Sequence, residues 1–114
     1  MVNAMAHPPL SDAMIEEISR IFSTLGDVSR LKILRALLEA GEPISQSAIV
    51  ERTGLSQANA SKHLSHLAQV GLVTREAHGN TAHFSPVLPI VGQACELVSG
   101  FATERIKHAF QSLR

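Results

Sequence analysis

The sequence predicts a mainly α-helical domain with one small β-hairpin, and three observations carry that prediction. Apolar residues recur at helical spacing along most of the chain, and the periodic stretches follow residues suited to cap a helix. Two of these stretches are short and are separated by Thr53-Gly54 and Leu55. The one β-prone region, Leu72 to Ser85, turns around Gly79. Two short helices joined by a tight glycine turn, the second with a polar outer face, are the sequence form of a helix-turn-helix. A hairpin directly behind it makes a wing, so the expected architecture is a winged helix-turn-helix.

Composition limits the alternatives. A chain of 114 residues makes one domain with one core, and 45% hydrophobic with 18% charged residues fits a folded protein rather than a disordered one. With no Trp and no Tyr, a stacking platform for single-stranded nucleic acid is not expected. The single cysteine excludes an internal disulfide and fits a reducing compartment. No apolar run approaches the ~20 residues of a membrane span, and no basic-then-apolar leader opens the chain. A cytoplasmic location is therefore expected, with no membrane partner. The formal net charge of +0 argues mildly against nucleic-acid binding, so the placement of charge matters more than its sum.

Residues 1–9 read as a flexible tail that carries His7 before Pro8-Pro9, and residues 10–114 as the single domain. Ser11 caps a first helix with Asp12 in its first turn and an apolar stripe of Met14, Ile15, Ile18, Ile21, Phe22 and Leu25. Gly26 ends it. Asp27 caps a second helix with Val28, Leu31, Ile33, Leu34, Leu37 and Leu38 on its stripe. Arg30, Lys32 and Arg35 read as its solvated face. Gly41-Glu42-Pro43 breaks the chain, and Ser45 caps a short third helix built on Ala48, Ile49 and Val50.

The fourth helix, about 56–70, is the one that matters most. Ser56 is its cap and Gly71 its stop. Ala60, Leu64, Leu67 and Ala68 share one face, with Gln57 and Gly71 extending that stripe. Ala58, Asn59, Lys62, Ser65, His66 and Gln69 lie opposite, and Ser61 and His63 on the flanks. The outer face is small, amide-bearing and basic, and it carries no acid. Such a face suits phosphates and base edges in a major groove. The candidate DNA contacts are Ser56, Gln57, Ala58, Asn59, Ser61, Lys62 and His63, with Arg75, His78 and Asn80 on a wing of about 72–85. Asn59 is the better adenine reader, because the wheel turns Gln57 toward the core. Lys62 suits phosphate or guanine.

Pro86 and Pro89 suit the first turn of a last helix, about 87–112. Its stripe runs through Ile90, Val91, Ala94, Leu97, Val98, Phe101, Ala102, Ile106, Ala109, Phe110 and Leu113. That stripe and the one on the first helix exceed what a small core can cover. Pairing both with a second copy would bury them, so a homodimer through the terminal helices is expected.

The segments LGDVSRLKILRALLEAG and LSQANASKHLSHLAQVGLVTREAHGNTAHFS resemble the opening helices, recognition helix and wing of the ArsR/SmtB family of small winged-helix repressors. The resemblance runs from about Leu25 to Ser85. It implies a homodimer on a palindromic operator in double-stranded DNA, with the terminal helices forming the dimer interface. It also implies repression relieved by an inducer, often a metal ion. The sequence departs from the family's best-known sensors. Glu42 to Ile49 holds no cysteine, the last helix holds no aspartate and one histidine, and Cys95 stands alone. What remains is Glu104 and His108, four apart on the last helix, with His7 on the tail to complete a set. These donors would suit nickel, cobalt or zinc. No cofactor is required, and a sensing partner protein is the alternative. No nucleophile–base pair, phosphate-cradling loop or paired acid can be assembled, so an enzyme is not expected. A winged-helix protein-interaction module is the competing reading, and the neutral charge suits it.

Overall fold

The computed structural model describes residues 9–113. His7 lies outside them. Helix α1 spans Asp12–Leu25 and α2 Val28–Ala40. A short strand β1, Ile44–Ser45, leads into α3, Gln46–Thr53, and then α4, Gln57–Val70. Strands β2, Val73–His78, and β3, Thr81–Pro86, form the hairpin, and α5, Ile90–Ser112, closes the chain.

The caps form where local chemistry favours them. Side-chain oxygens of Ser11, Asp27, Ser45 and Ser56 accept the backbone N–H three residues on, at 3.2, 3.0, 3.2 and 3.1 Å. Each satisfies a donor that the first helical turn leaves without a partner. Gly71 ends α4 at φ 90°, in the left-handed region that a side chain resists.

One core holds these elements together. Ile33, Leu34 and Leu37 of α2 pack with Ile49 of α3, Leu64 and Leu67 of α4, Leu72 just before β2, and Val73 and Phe84 of the sheet. α5 joins this cluster through Val91 in its first turn, with Cys95 one turn later at its edge. Beyond that, α5 leaves the domain. The radius of gyration is 16.9 Å, against about 13 Å for a compact chain of this length.

Several expectations need correction. The sheet has three strands in the order β1-β3-β2, because Ile44 and Ser45 pair with Phe84 and His83 before α3 begins. His78 belongs to β2 opposite Thr81, so the turn is only Gly79-Asn80, with Gly79 at φ 61°. Pro86 ends β3 opposite Val73 and does not start a helix. The Val87 N–H donates to the Leu72 carbonyl at 2.9 Å, which holds the chain to the sheet until α5 begins at Ile90. Thr24, which lies off the expected α1 stripe, is that helix's buried residue, while Met14, Ile15 and Phe22 of the stripe are exposed in the single chain and left for a second copy to cover.

Candidate nucleic-acid interface

Helices α3 and α4 are set against each other by a dense turn. Thr53 donates its hydroxyl to the Ile49 carbonyl at 2.7 Å and accepts the Leu55 N–H at 3.3 Å. Gly54, at φ 75°, returns its N–H to Val50 at 2.8 Å. At the far side, Gln46 Nε2 donates to Gln57 Oε1 at 3.0 Å and to the Gln57 carbonyl at 3.2 Å. The first residues of the two helices are thereby tied together. Gln57 is exposed but directed at α3, not into the core as the wheel suggested.

The outward face of α4 is as bare as the sequence implies. Ser56, Gln57, Ala58, Asn59, Ser61, Lys62 and Ser65 are all exposed, and α4 contains no Asp or Glu. The helix N-terminus adds its partial positive charge to this end. A groove of about 540 Å³ runs beside it, bounded by α3, α4 and the wing. Arg75 lines that groove together with Gln46, Ser47, Gln57, Ser61 and Ser65. Arg75 reaches it because it stands opposite Phe84, on the sheet face that looks toward the helices. The structure therefore brings Arg75 to the same groove as Gln57, Ser61 and Ser65 of α4.

The other wing residues lie elsewhere. His78 is on the opposite sheet face, where its Nε2 is 3.3 Å from Glu76 Oε2. Its ring stacks on His83, with centroids 4.2 Å apart and planes 3° from parallel. Glu76 places an acid beside His78 that weakens a phosphate contact there. Asn80 is exposed in the turn.

His63 is a correction to the expected contact surface. It is 8% exposed and one of two buried polar residues among those described, with Thr24. Its Nδ1 accepts from Arg30 Nε at 3.3 Å. Burial holds its imidazole below the ordinary histidine range, and nearby Arg30 and Lys62 act in the same direction, against Asp27. His66, expected on the outer face, is half-buried and lies 3.3 Å from the Thr24 hydroxyl. Arg30, expected on a solvated face, also donates to the Thr24 carbonyl at 3.4 Å. Sequence periodicity missed these contacts because they depend on where α1 and α2 cross α4 and each other.

Of the expected metal donors, Glu104 and His108 lie one turn apart on α5, and His7 is outside the described residues. Among the described residues, no three His, Cys, Asp or Glu side chains make a group that could hold an ion. Glu104 lies 3.6 Å from Lys107 Nζ, and both are exposed.

A protein-family model described as the MarR family matches residues 27–82, from the cap of α2 to the start of β3. A Streptomyces lividans protein with the provisional name mercury resistance operon repressor is 35% identical over 86 residues, covering 75% of this chain and 67% of its own length. The chain belongs to the ArsR/SmtB family of winged-helix repressors. A Halobacterium salinarum protein provisionally named arsenical resistance operon repressor ArsR2 is 32% identical over 76 residues, or 67% of this chain. The matched segment spans 63% of that relative's own length. The homodimeric winged helix-turn-helix DNA-binding domain of Mb0332 from Mycobacterium bovis superimposes with a TM-score of 0.76 at 26% identity, covering 91% of this chain and 94% of that one. In this ArsR/SmtB chain, α3 and α4 are the helix-turn-helix, and β2 and β3 the wing. Its family and fold are those of DNA-binding regulators, not enzymes.

Proposed function

We propose that this chain is a homodimeric transcriptional repressor that binds an operator in double-stranded DNA, one recognition helix per half-site. The observation that carries the DNA reading is the exposed, acid-free face of α4 beside the groove that Arg75 lines. Asn59 would read a base edge, since adenine presents a donor and an acceptor that an amide matches. Lys62 and Arg75 would pair with phosphates, while Ser56, Ser61 and the first N–H groups of α4 would fix the register. Ala58 would make an apolar contact. His78 and Asn80 would approach the backbone only at the wing's edge, and His63 takes no part in contact.

The dimer reading rests on unpartnered apolar surface. Phe22 on α1 and Leu97, Phe101, Ile106 and Phe110 on α5 are between 64% and 77% exposed. A single chain leaves these side chains in water, and a symmetric second copy would cover them. The Mb0332 domain, which shares the fold, is homodimeric.

A metal inducer is not part of this reading, because the described residues bring no third donor to Glu104 and His108. The names of two relatives refer to resistance to arsenicals and mercury. This sequence has one cysteine, Cys95, whereas soft ions favour several thiolates. An inducer sensed by a partner protein fits the chain better.

The test is selection of duplexes from a random-sequence pool by the purified full chain, followed by titration of the enriched duplex against salt. Enrichment of a two-fold symmetric site with steeply salt-dependent affinity supports the proposal. A folded protein that enriches no sequence at low salt would overturn it in favour of a protein-interaction module.

A further inference from the structure

The recognition helix is fixed from behind by two histidines that make chemically different bonds. Thr24 Oγ1 donates to the Arg20 carbonyl at 2.8 Å, so toward His66 Nε2 it is left as an acceptor. His66 is therefore the donor in that pair, and an imidazole keeps its Nε2 hydrogen when it gains a proton. His63 is the reverse case. Its Nδ1 accepts from Arg30 Nε, so its one hydrogen sits on Nε2. A proton added to His63 must go to Nδ1, which then cannot accept. The same proton sets an imidazolium against the Arg30 guanidinium. Arg30 in turn holds the last turn of α1 through the Thr24 carbonyl.

We propose that His63 and His66 are positioning residues that hold the recognition helix to the corner of α1 and α2, and that acid releases the His63–Arg30 bond while leaving the His66–Thr24 bond intact. The proposal rests on the DNA-binding reading and adds a control on it. His63 and His66 share α4 with Asn59 and Lys62, so loosening one side of the helix displaces the readers on the other. The charged groups facing His63 are Asp27 and Arg30 from the start of α2, and Lys62 and His66 from α4 itself. α1 presents only the uncharged hydroxyl and carbonyl of Thr24. Burial opposes the proton most, Asp27 favours it, and Arg30, Lys62 and His66 oppose it, so the bond is intact at neutral pH and opens on acidification.

The probe is a fluorescein-labelled duplex selected by the wild-type full chain from a random-sequence pool. Its affinity is measured at about pH 7.5 and about pH 5.5, at constant ionic strength, for the wild type and for His63→Gln. A glutamine carbonyl can accept from Arg30 but cannot take up the proton. Every other residue is common to both proteins, so any effect of acid outside position 63 divides out. The acid-to-neutral affinity ratio of the wild type is expected to be lower than that of His63→Gln by about fivefold, the scale of one lost hydrogen bond. Equal ratios overturn the proposal. Thr24→Val, which removes the acceptor for His66, is expected to weaken binding at both pH values and keep the wild-type ratio. A changed ratio there would overturn the assignment of the acid response to His63 alone. Nitrogen NMR of the wild type decides the bond without any variant or DNA: Nδ1 of His63 bare at neutral pH and protonated in acid supports it. A hydrogen on Nδ1 at neutral pH overturns it. Failure to select any duplex would count against the DNA reading, with the NMR result still deciding the bond.

Discussion

Ile44 stands directly opposite Phe84, so the wing is stitched to the linker that starts α3. The pair is buried, at 8% and 5% exposure, and sits between the sheet and the core. It makes the wing a rigid continuation of the helix-turn-helix and fixes Arg75, which shares the Phe84 side of the sheet. Phe84→Ala would leave a cavity where this junction now packs. An unfolding free energy lower by about 3–5 kcal/mol is expected, read from urea titration. A loss under about 1 kcal/mol would mean that the wing is not part of the cooperative core.

Gly71 makes a cleaner test of backbone geometry. At φ 90° it turns the chain out of α4 and returns its N–H to Leu67 and Ala68, both at 3.1 Å. A Cβ placed there would meet no atom within 4 Å, so crowding adds nothing to the cost of substitution. Gly71→Ala should destabilise by about 1–2 kcal/mol through the left-handed conformation alone. Thermal unfolding by circular dichroism would report it.

Stability should also depend on pH through His63. Burial lowers its proton affinity in the folded chain below the ordinary value of 6.5. The unfolded chain therefore binds more protons in mild acid, and stability rises with pH across that window. The contribution is complete above about 6.5 and is lost as pH falls through the lower folded value. Asp27 does not confuse the measurement. Its carboxyl is held below 3.8, first by the Arg30 N–H, so its contribution is lost only in stronger acid. Urea midpoints of the wild type should fall on going from neutral to mild acid more than those of His63→Gln. Parallel curves would contradict the burial argument.

What the sequence revealed, and what it hid, divides by range along the chain. The caps at Ser11, Asp27, Ser45 and Ser56 and the stop at Gly71 were legible because each is settled within four residues. The exposed face of α4 was legible because helical spacing alone turns Asn59 and Lys62 away from Leu64 and Leu67. β1 was hidden, since two residues are too few to show an alternating pattern, and its partner lies 40 residues on. The places of His63 and His66 were hidden for a related reason. A wheel assigns angles around α4 but not the direction from which α1 arrives. Arg30 looked like a solvated cation until the packing of α2 on α4 placed it beside His63.

Replacing Lys62 and Asn59 should separate affinity from specificity. Lys62→Ala removes a cation from the exposed face without touching the core. Binding should weaken about equally on all duplexes, and the slope of log affinity against log salt should fall by about 1. Asn59→Ala should cost about 1–3 kcal/mol on the selected duplex and relax preference at one base position per half-site. A Lys62 variant with an unchanged salt slope would remove that residue from the contact surface.

Phe101 is 64% exposed, and the Arg105 guanidinium carbon lies over its ring, 5.9 Å from the centroid. Within one chain, an aspartate at this position would meet water and leave the core undisturbed. Inside a symmetric interface it would place a carboxylate among Leu97, Val98 and the partner copy's apolar side chains, where desolvation is costly. Phe101→Asp should therefore weaken self-association about 100-fold or more while far-ultraviolet circular dichroism remains that of a folded helical protein. Sedimentation velocity would show a monomer at concentrations where the wild type is a dimer. The wild-type melting temperature should rise with protein concentration and that of the variant should not, because only association couples stability to mass action. A variant that remains dimeric would place the interface on another surface and leave the exposed face of α5 for a different partner.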